Sequence, residues 1–178
     1  FIHDSLGVEI YGGSITDIVG MDSGPTPCLD LDMPSRGTDG ADARGLFVGA
    51  ADVYVEGLRV AGIVGGDGGG YAHSGSCGPA ESTHRGGYGG SATGIDVAQK
   101  SAVSLNAVIV EVVHGGDAGH GAHINSPFSD GGFAVGVTTG VYGGDDSKVY
   151  AVDANHLLIR DLREGASTGF IPVGAGLD

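Results

Sequence analysis

The sequence predicts an all-β fold, a parallel solenoid of about four coils, and three observations support this prediction. A segment of fifteen residues recurs without gaps, and its apolar residues mostly alternate. Each of the first three copies ends in an aspartate that closes a glycine-containing triplet, GMD or GGD. The first three copies are VEIYGGSITDIVGMD (8–22), VYVEGLRVAGIVGGD (53–67) and VSLNAVIVEVVHGGD (103–117). Repeats of this kind are typical of solenoids, because one unit cannot bury its apolar face alone.

Aliphatic residues at matching places in the copies predict columns of stacked side chains. The matching residues are Val8 with Val53 and Val103, Ile10 with Val55 and Leu105, Ile15 with Val60 and Val110, and Ile18 with Ile63 and Val113. Within a copy these residues mostly alternate, which is the period of a strand. The many β-branched residues and glycines also disfavour a helix. Copies stacked about 4.8 Å apart would bury the columns in one core.

A weaker fourth copy and a set of short apolar stretches complete the coils. The fourth copy, VDANHLLIRDLREG (152–165), keeps Val152, Ile159 and Leu162 but lacks the aspartate. A further strand for each coil is expected in GLFV (45–48), GIDV (94–97), AVGV (134–137) and GFIPV (169–173). The alternative fold is an antiparallel β-sandwich, which predicts hairpin signals and does not explain a repeat of 45 to 50 residues.

The remainder of each repeat is a glycine-rich insert that follows the third strand. The inserts are 20–43, 65–92 and 115–133, with another beginning near 164. All of them leave the coil at the same corner, where we expect glycine to adopt positive φ and to permit close backbone approach. We treat 1–178 as a single β-solenoid domain and expect it to be a segment of a longer chain, since it begins and ends within a repeat.

Composition and charge narrow the class of protein. The 37 glycines follow no G-X-Y period, which excludes collagen, and the aliphatic content disfavours a disordered chain. A net charge of −14 disfavours nucleic acid as a partner and suits divalent cations or basic partners. No apolar run is long enough for a membrane helix, so membrane insertion is not expected. No leader precedes FIHDSLGVEI, so any signal peptide lies outside this sequence.

The two cysteines are candidates for a disulfide. Cys28 lies twenty residues after Val8, and Cys77 lies twenty-four residues after Val53, so they hold nearly equivalent places in neighbouring inserts. A stacking distance of about 4.8 Å falls within the Cα separation that a disulfide requires. A Cys28–Cys77 bridge implies an oxidising compartment and hence a secreted or cell-surface protein. The alternative is a pair of buried free thiols in a cytosolic protein.

Three aspartates at the insert corner are candidates for a calcium site. Asp22, Asp67 and Asp117 occupy the same place in the three copies and are expected to stack. Stacked carboxylates repel each other unless cations or hydrogen bonds offset their charge. Calcium accepts carboxylate and backbone carbonyl oxygens, which this corner can supply. The alternative is that aspartate and glycine serve here as ordinary turn formers.

Further candidate ligands and contact residues also fall in the inserts. A transition metal is a weaker hypothesis, because the histidines of HGGDAGHGAH match no zinc spacing. Aromatic residues in the inserts can stack on sugar rings or pack against a protein, although they can equally pin the inserts onto the coils. The histidines are His114, His120 and His123, and the aromatic residues are Tyr71, Tyr88 and Phe128.

The coils resemble those of the right-handed parallel β-helix superfamily, which includes pectin-lyase-like enzymes, phage tailspikes and autotransporter passengers. The polygalacturonases of that superfamily carry NTDG, a pair of aspartates and GHG, and this chain has GTDG (37–40), GHG (119–121) and GGDD (143–146). The resemblance implies Asp39, His120, Asp145 and Asp146 as candidate catalytic residues. The order of the motifs differs, since the family places the aspartate pair before GHG, and the asparagine of the first motif is missing.

We therefore expect an extracellular structural or adhesive β-helix. Its insert layer is expected to bind a carbohydrate or protein surface, or the coils to assemble end to end through unpaired strand edges. The alternative is a glycosidase or lyase that acts on polysaccharides and uses two carboxylates. That activity requires acidic side chains that point outward from adjacent strands, such as Asp96 and Glu56.

Overall fold

The computed structural model describes residues 1–24, 37–70, 86–119, 138–144, 146–152 and 157–165, and in these residues the fold is all-β. The strands are β1 (Ile2–His3), β2 (Val8–Tyr11), β3 (Ser14–Val19), β4 (Ala43–Gly49), β5 (Asp52–Glu56), β6 (Arg59–Val64), β7 (Ala92–Ala98), β8 (Ala102–Asn106), β9 (Val108–His114), β10 (Thr138–Gly143), β11 (Lys148–Ala151) and β12 (Leu157–Arg163). This described part of the chain holds no helix that is long and apolar enough to cross a membrane.

The strands form three parallel sheets of four strands each. The first sheet has the order β1-β4-β7-β10, the second β2-β5-β8-β11 and the third β3-β6-β9-β12. Each strand is thus bonded to the corresponding strand of the next repeat, and all pairings between the described strands are parallel. The arrangement is compatible with a parallel β-helix. It is incompatible with the antiparallel sandwich.

The strand register confirms the predicted columns of aliphatic side chains. Val53 pairs with Val8 on one side and with Val103 on the other. In the third sheet, Val60 lies in the same way between Ile15 and Val110. These side chains pack with inward-facing residues of the first sheet in one core. Burial of each such side chain contributes roughly 1.5–3 kcal/mol, so the core supplies the main driving force for stacking.

The prediction for the fourth copy is wrong at Val152. The structure pairs Val149, not Val152, with Val103, and Val152 is 57% exposed. The gapless alignment fails because residues 152–156 separate β11 from β12, a longer connection than the one between β2 and β3. Ile159 and Leu162, in contrast, pair as predicted with Val110 and Val113.

The additional strands are confirmed where the structure describes them. GLFV lies in β4 and GIDV lies in β7. AVGV (134–137) and GFIPV (169–173) lie outside the described residues. In the fourth repeat, the first sheet is completed by β10, which begins at Thr138. The repeat therefore contributes one strand to each of the three sheets.

Glycine also forms a column inside the core, where the first sheet approaches the third. At each of these glycines an added Cβ would overlap a side chain of the third sheet, at less than 3.0 Å. The pairs are Gly45 with Val60, Gly94 with Val110, and Gly140 with Ile159. The absence of side chains in one sheet thus makes room for the aliphatic column of the other.

A second recurring feature is a residue with positive φ in each strand of the third sheet. The four residues occupy matching places and are Asp17 (59°), Gly62 (67°), Val112 (54°) and Asp161 (53°). Aspartate and glycine tolerate this conformation, whereas a β-branched valine adopts it rarely. At Val112 the positive φ is therefore imposed by stacking on the neighbouring strands and not by the conformational preference of valine.

We predict that Gly94→Ala lowers the free energy of unfolding by roughly 1–3 kcal/mol, because its Cβ would overlap the carbonyl oxygen of Gly140 and a methyl group of Val110. Adding Val110→Ala removes that methyl group, so the double variant should lose less stability than the sum of the two single losses. Urea denaturation of the four proteins measures this coupling. Gly143→Ala is the matched control, since its Cβ would meet only Val149 at 3.4 Å. Strictly additive losses would contradict the proposed overlap.

Candidate functional surface: the glycine layer

The described parts of the inserts form extended legs beside the sheets. Outgoing legs begin directly after strands of the third sheet, and returning legs end directly before strands of the first sheet. The outgoing legs are 20–24, 65–70 and 115–119, and the returning legs are 37–42 and 86–91. We call these five legs the glycine layer.

Hydrogen bonds along the layer join each outgoing leg to the next. The N–H of Gly65 donates to the carbonyl of His114, the last residue of β9 before the next leg, at 2.9 Å, and the N–H of Gly68 donates to that of Asp117 at 2.8 Å. The two donors are three residues apart. A period of three is that of the polyproline II helix, whereas a strand has a period of two. The layer is therefore not a fourth sheet.

Hydrogen bonds also run across the layer, between outgoing and returning legs. Gly66 donates to Ala41, and Gly69 donates to Thr38, again with a spacing of three. The returning leg of the next repeat follows the same rule, since Gly87 donates to Gly69 and Gly90 to Gly66. The outgoing leg after it continues the pattern, with Gly116 bonded to Gly90 and Gly119 bonded to Gly87. Each inner leg is thus bonded to neighbours on more than one side.

The glycines of the layer are required because the backbones approach closely. A Cβ built on Gly66 would fall on the carbonyl oxygen of Met21, and one on Gly87 would fall on that of Thr38. The described glycines with positive φ are Gly7, Gly12, Gly13, Gly57 and Gly62, none of which belongs to the layer. Our expectation of positive φ at the insert corner is therefore wrong, while the expectation of close backbone approach is confirmed.

The aspartates of the layer hydrogen-bond to the backbone of the next repeat. Asp22 Oδ1 accepts from the N–H of Asp67 at 2.9 Å, and Asp67 Oδ1 accepts from the N–H of Asp117 at 2.8 Å. All five backbone N–H groups of residues 65–69 thereby have an acceptor. These bonds supply the offset to carboxylate repulsion that the stacked column requires.

The calcium prediction for this column gains no support from the geometry. Among the described residues, no three His, Cys, Asp or Glu side chains are grouped so that they could hold a metal ion. His114, the described member of the histidine set, lies at the end of β9, and its Nε2 is 3.8 Å from Asp161 Oδ1. His120 and His123 lie outside the described residues.

Sequence reasoning missed the equivalent bonds of the returning legs. Asp39 Oδ1 accepts from the N–H of Tyr88, and Asp42 Oδ1 accepts from the N–H of Ser91, both at 2.8 Å. The signal was present in the spacing, because Asp39 and Asp42 are three residues apart and each bonds forty-nine residues ahead. Asp39, named as a candidate catalytic residue, thus binds backbone in the layer.

The other candidate residues are not brought together in the described structure. Asp146 lies in the turn before β11, far along the chain from the layer, and has a positive φ of 60°. Asp96 and Glu56 lie on β7 and β5, which belong to different sheets, so they do not form the outward-facing pair that a glycosidase requires. Asp145, Cys28, Cys77, Tyr71 and Phe128 lie outside the described residues. Tyr88 lies in a returning leg and is exposed.

An ion-pair ladder on the third sheet was also missed. Glu111 on β9 lies between two arginines, with its carboxylate 2.8 Å from Arg59 Nε and 2.6 Å from Arg160 Nε. Hydrogen bonds from Arg160 and then from Arg59 lower the pKa of the Glu111 carboxyl, although burial acts in the opposite direction. The three side chains tie three successive repeats together on the outside of the sheet. Only the register of the strands reveals this arrangement.

No family model matches the chain, and no curated protein or solved structure matches it either. The class of protein is therefore defined by geometry alone, as an all-β fold of parallel strands in three sheets. The distinguishing feature is the glycine layer beside them.

We predict that Gly90→Ala destabilises the layer, because its Cβ would fall on the carbonyl oxygen of Ala41. The loss should be roughly 1–3 kcal/mol. Amide hydrogen exchange should accelerate at residue 90, whose N–H donates to Gly66, and at Gly116, whose N–H donates to residue 90. It should also accelerate at Gly66, whose N–H donates to the displaced carbonyl of Ala41. Gly24→Ala is the matched control, since a Cβ there meets nothing within 4 Å and φ is not positive. Equal losses in the two variants would contradict the requirement for bare backbone.

We predict that Glu111→Gln lowers the melting temperature at pH 7 and reduces its dependence on acidic pH. The lowered pKa means that the native ion pairs contribute stability above the pKa of the unfolded chain, near 4.5, and that this contribution is lost as the pH falls through the native value. The melting temperatures of wild type and variant should therefore begin to converge as the pH falls below about 4.5. Thermal unfolding between pH 3 and pH 7 measures this, and a constant difference over that range would contradict it.

Proposed function

We propose that this chain is part of a secreted or cell-surface parallel β-helix of about four coils whose role is structural or adhesive. The glycine-rich inserts leave each coil from one corner and present a layer that binds a carbohydrate or protein surface. The observation that carries the proposal is the glycine layer itself, in which backbone hydrogen bonds join the five described legs to one another. Membership of the right-handed β-helix superfamily belongs to the same proposal.

The layer suits binding because its conformation is fixed in advance. The legs contact each other through backbone atoms, so ordering them does not depend on long side chains. A surface that is already ordered loses less conformational entropy when a partner binds. A core needs no such layer, since the aliphatic columns of the three sheets pack against one another without it. The layer is therefore best explained by a role at the surface.

The side chains of the layer indicate what kind of partner it suits. Asp67 and Asp117 are exposed in one column, and Met21 and Tyr88 are exposed beside them. Carboxylates accept hydrogen bonds from sugar hydroxyls or from basic side chains, and exposed Tyr and Met offer apolar contact. The net charge of −14 favours partners that are neutral or basic.

End-to-end assembly is the other mode of association within this proposal. Ile159 and Leu162 on β12 are 39% and 42% exposed, although their column neighbours Val110 and Val113 are fully buried. Covering these side chains with a further coil would extend the same columns. This mode is supported by the strand register, because β12 carries aliphatic residues at the positions that pair with the aliphatic residues of β9.

The alternative, a glycosidase or lyase, has less support. The Asp39 carboxylate is bonded to the backbone of Tyr88, and Asp96 lies on a different sheet from Glu56. A catalytic pair must flank one glycosidic bond, about 5 to 10 Å apart. The placement of Asp39, Asp96 and Glu56 therefore gives the enzymatic alternative no support.

The test is to probe the chain on an array of neutral, amino and uronic glycans and immobilised matrix proteins, and to measure its mass by sedimentation at several concentrations. We expect binding or concentration-dependent association, and no release of reducing ends from polysaccharides. Gly90→Ala should weaken array binding, whereas Gly24→Ala should not. Polysaccharide cleavage by the chain, or a monomer that binds nothing on the array, would overturn the proposal.

A further inference from the structure

A cavity of about 260 Å³ lies where the returning legs of the glycine layer enter the first sheet. The residues that line it come from the ends of two returning legs and from three strands of the first sheet, β4, β7 and β10. Asp42 and Ser91 are the last residues of the returning legs, and the other polar lining residues are Arg44, Thr93, Asp96 and Tyr142. Of these residues, Asp96 alone was named from the sequence, as an outward-facing carboxylate for the glycosidase alternative.

Asp96 is the most unusual residue of the cavity. It is only 8% exposed, although it lies on the outer face of β7 and carries a carboxylate. Strand register places it between Phe47 on β4 and Tyr142 on β10, so aromatic side chains flank it on both neighbouring strands. Such a position removes a carboxylate from water, and buried charged groups are normally paired.

Arg44 is the partner of Asp96 and is held in place by two contacts. Its Nε is 3.3 Å from Asp96 Oδ2, and its guanidinium carbon lies 6.0 Å from the centroid of the Phe47 ring. The Arg44 side chain remains half-exposed. The guanidinium therefore combines a fixed position with access to a ligand.

We propose that this cavity binds one sugar ring that bears no carboxylate, a neutral or an amino sugar. This inference rests on the proposed function and names its carbohydrate subsite. The lining combines carboxylate acceptors, guanidinium donors and three hydroxyl groups that can act as both. Neighbouring hydroxyl groups of a sugar also both donate and accept hydrogen bonds, so they complement these acceptors and donors of the cavity. The half-exposed ring of Tyr142 supplies the apolar surface on which a pyranose face packs.

Size and charge restrict the ligand further. A volume of about 260 Å³ is below the roughly 300–1,000 Å³ of sites for larger organic ligands, so the cavity holds a single ring. Asp42 and Asp96 give two negative charges against the one positive charge of Arg44, which is already paired with Asp96. An added carboxylate would meet net repulsion. Uronic acids, the substrates of pectin-degrading enzymes, are therefore disfavoured.

The inference is tested by ligand-observed NMR titration of the intact chain with four probes: methyl β-glucopyranoside, methyl β-galactopyranoside, glucosamine and galacturonic acid. We expect at least one of the first three to bind saturably in the millimolar range and galacturonic acid to bind at least about tenfold more weakly. Tyr142→Ala should weaken binding about tenfold, and Thr93→Val should weaken it about threefold.

Tyr150→Ala is the matched control. Tyr150 is as exposed as Tyr142, at 51% against 52%, and lies in the same repeat but on the second sheet, away from the cavity. This variant should bind the sugars as wild type does, and melting temperatures will show that all variants are folded. Absence of sugar binding, equal binding of galacturonic acid, or equal weakening by Tyr150→Ala would overturn the inference.

The outcomes also separate this inference from the proposed function. A chain that binds none of the four probes but still binds glycans or proteins on the array refutes the cavity and leaves the proposed function intact. A chain that binds nothing in either experiment and stays monomeric at all concentrations refutes both. A chain that binds a neutral or amino sugar and loses it in Tyr142→Ala supports both.

Discussion

The parallel hydrogen bonding of each repeat on the repeat before it is the constraint on which the whole structure depends. Once Val53 is placed between Val8 and Val103, the other residues of β5 have defined neighbours about 4.8 Å away along the stack. Hydrogen bonds between successive repeats likewise hold the glycine layer. Residues of one type therefore lie in columns along the stack: aliphatic residues in the core, and aspartates and glycines in the layer.

The glycine layer shows how this constraint changes the role of a residue type. Glycine is usually selected where the chain needs positive φ, and at Gly57 and Gly62 it has that role. In the layer it is selected because there is no room between the legs for a Cβ. The aspartates likewise do not turn the chain there. Their carboxylates bond to backbone N–H groups of the next repeat, which completes the hydrogen bonding of an extended chain.

Much of the fold follows from the sequence, because aligning the repeats also shows which residues of neighbouring strands pair. The columns through Val53 and Val60, the strands around GLFV and GIDV, and the stacking of Asp22 on Asp67 were all predictable from gapless alignment. The alignment failed at Val152, since a longer connection cannot be seen when the flanking residues are also apolar. It also gave no indication of the period of three in the layer, which arises from contacts between legs and not from alternation within one.

Less of the candidate site could be predicted, for a physical reason. Arg59 reaches Glu111 on the next strand, and Arg44 reaches Asp96, across distances that depend on side-chain length and on which face of the strand is outward. The cavity beside Asp96 depends in addition on where the returning legs join the first sheet. These are properties of the assembled stack. No single repeat encodes them.

The stacking of nearly independent repeats has a mechanical consequence. Each repeat contacts chiefly the repeat above and the repeat below, and the bonds of both the sheets and the layer run between repeats. Tension applied along the axis would load all the ladders at one junction together, so the molecule would resist until that junction parts and then release one turn of chain. Under force the repeats would therefore unfold one after another, and each unfolding event would release 45 to 50 residues of chain.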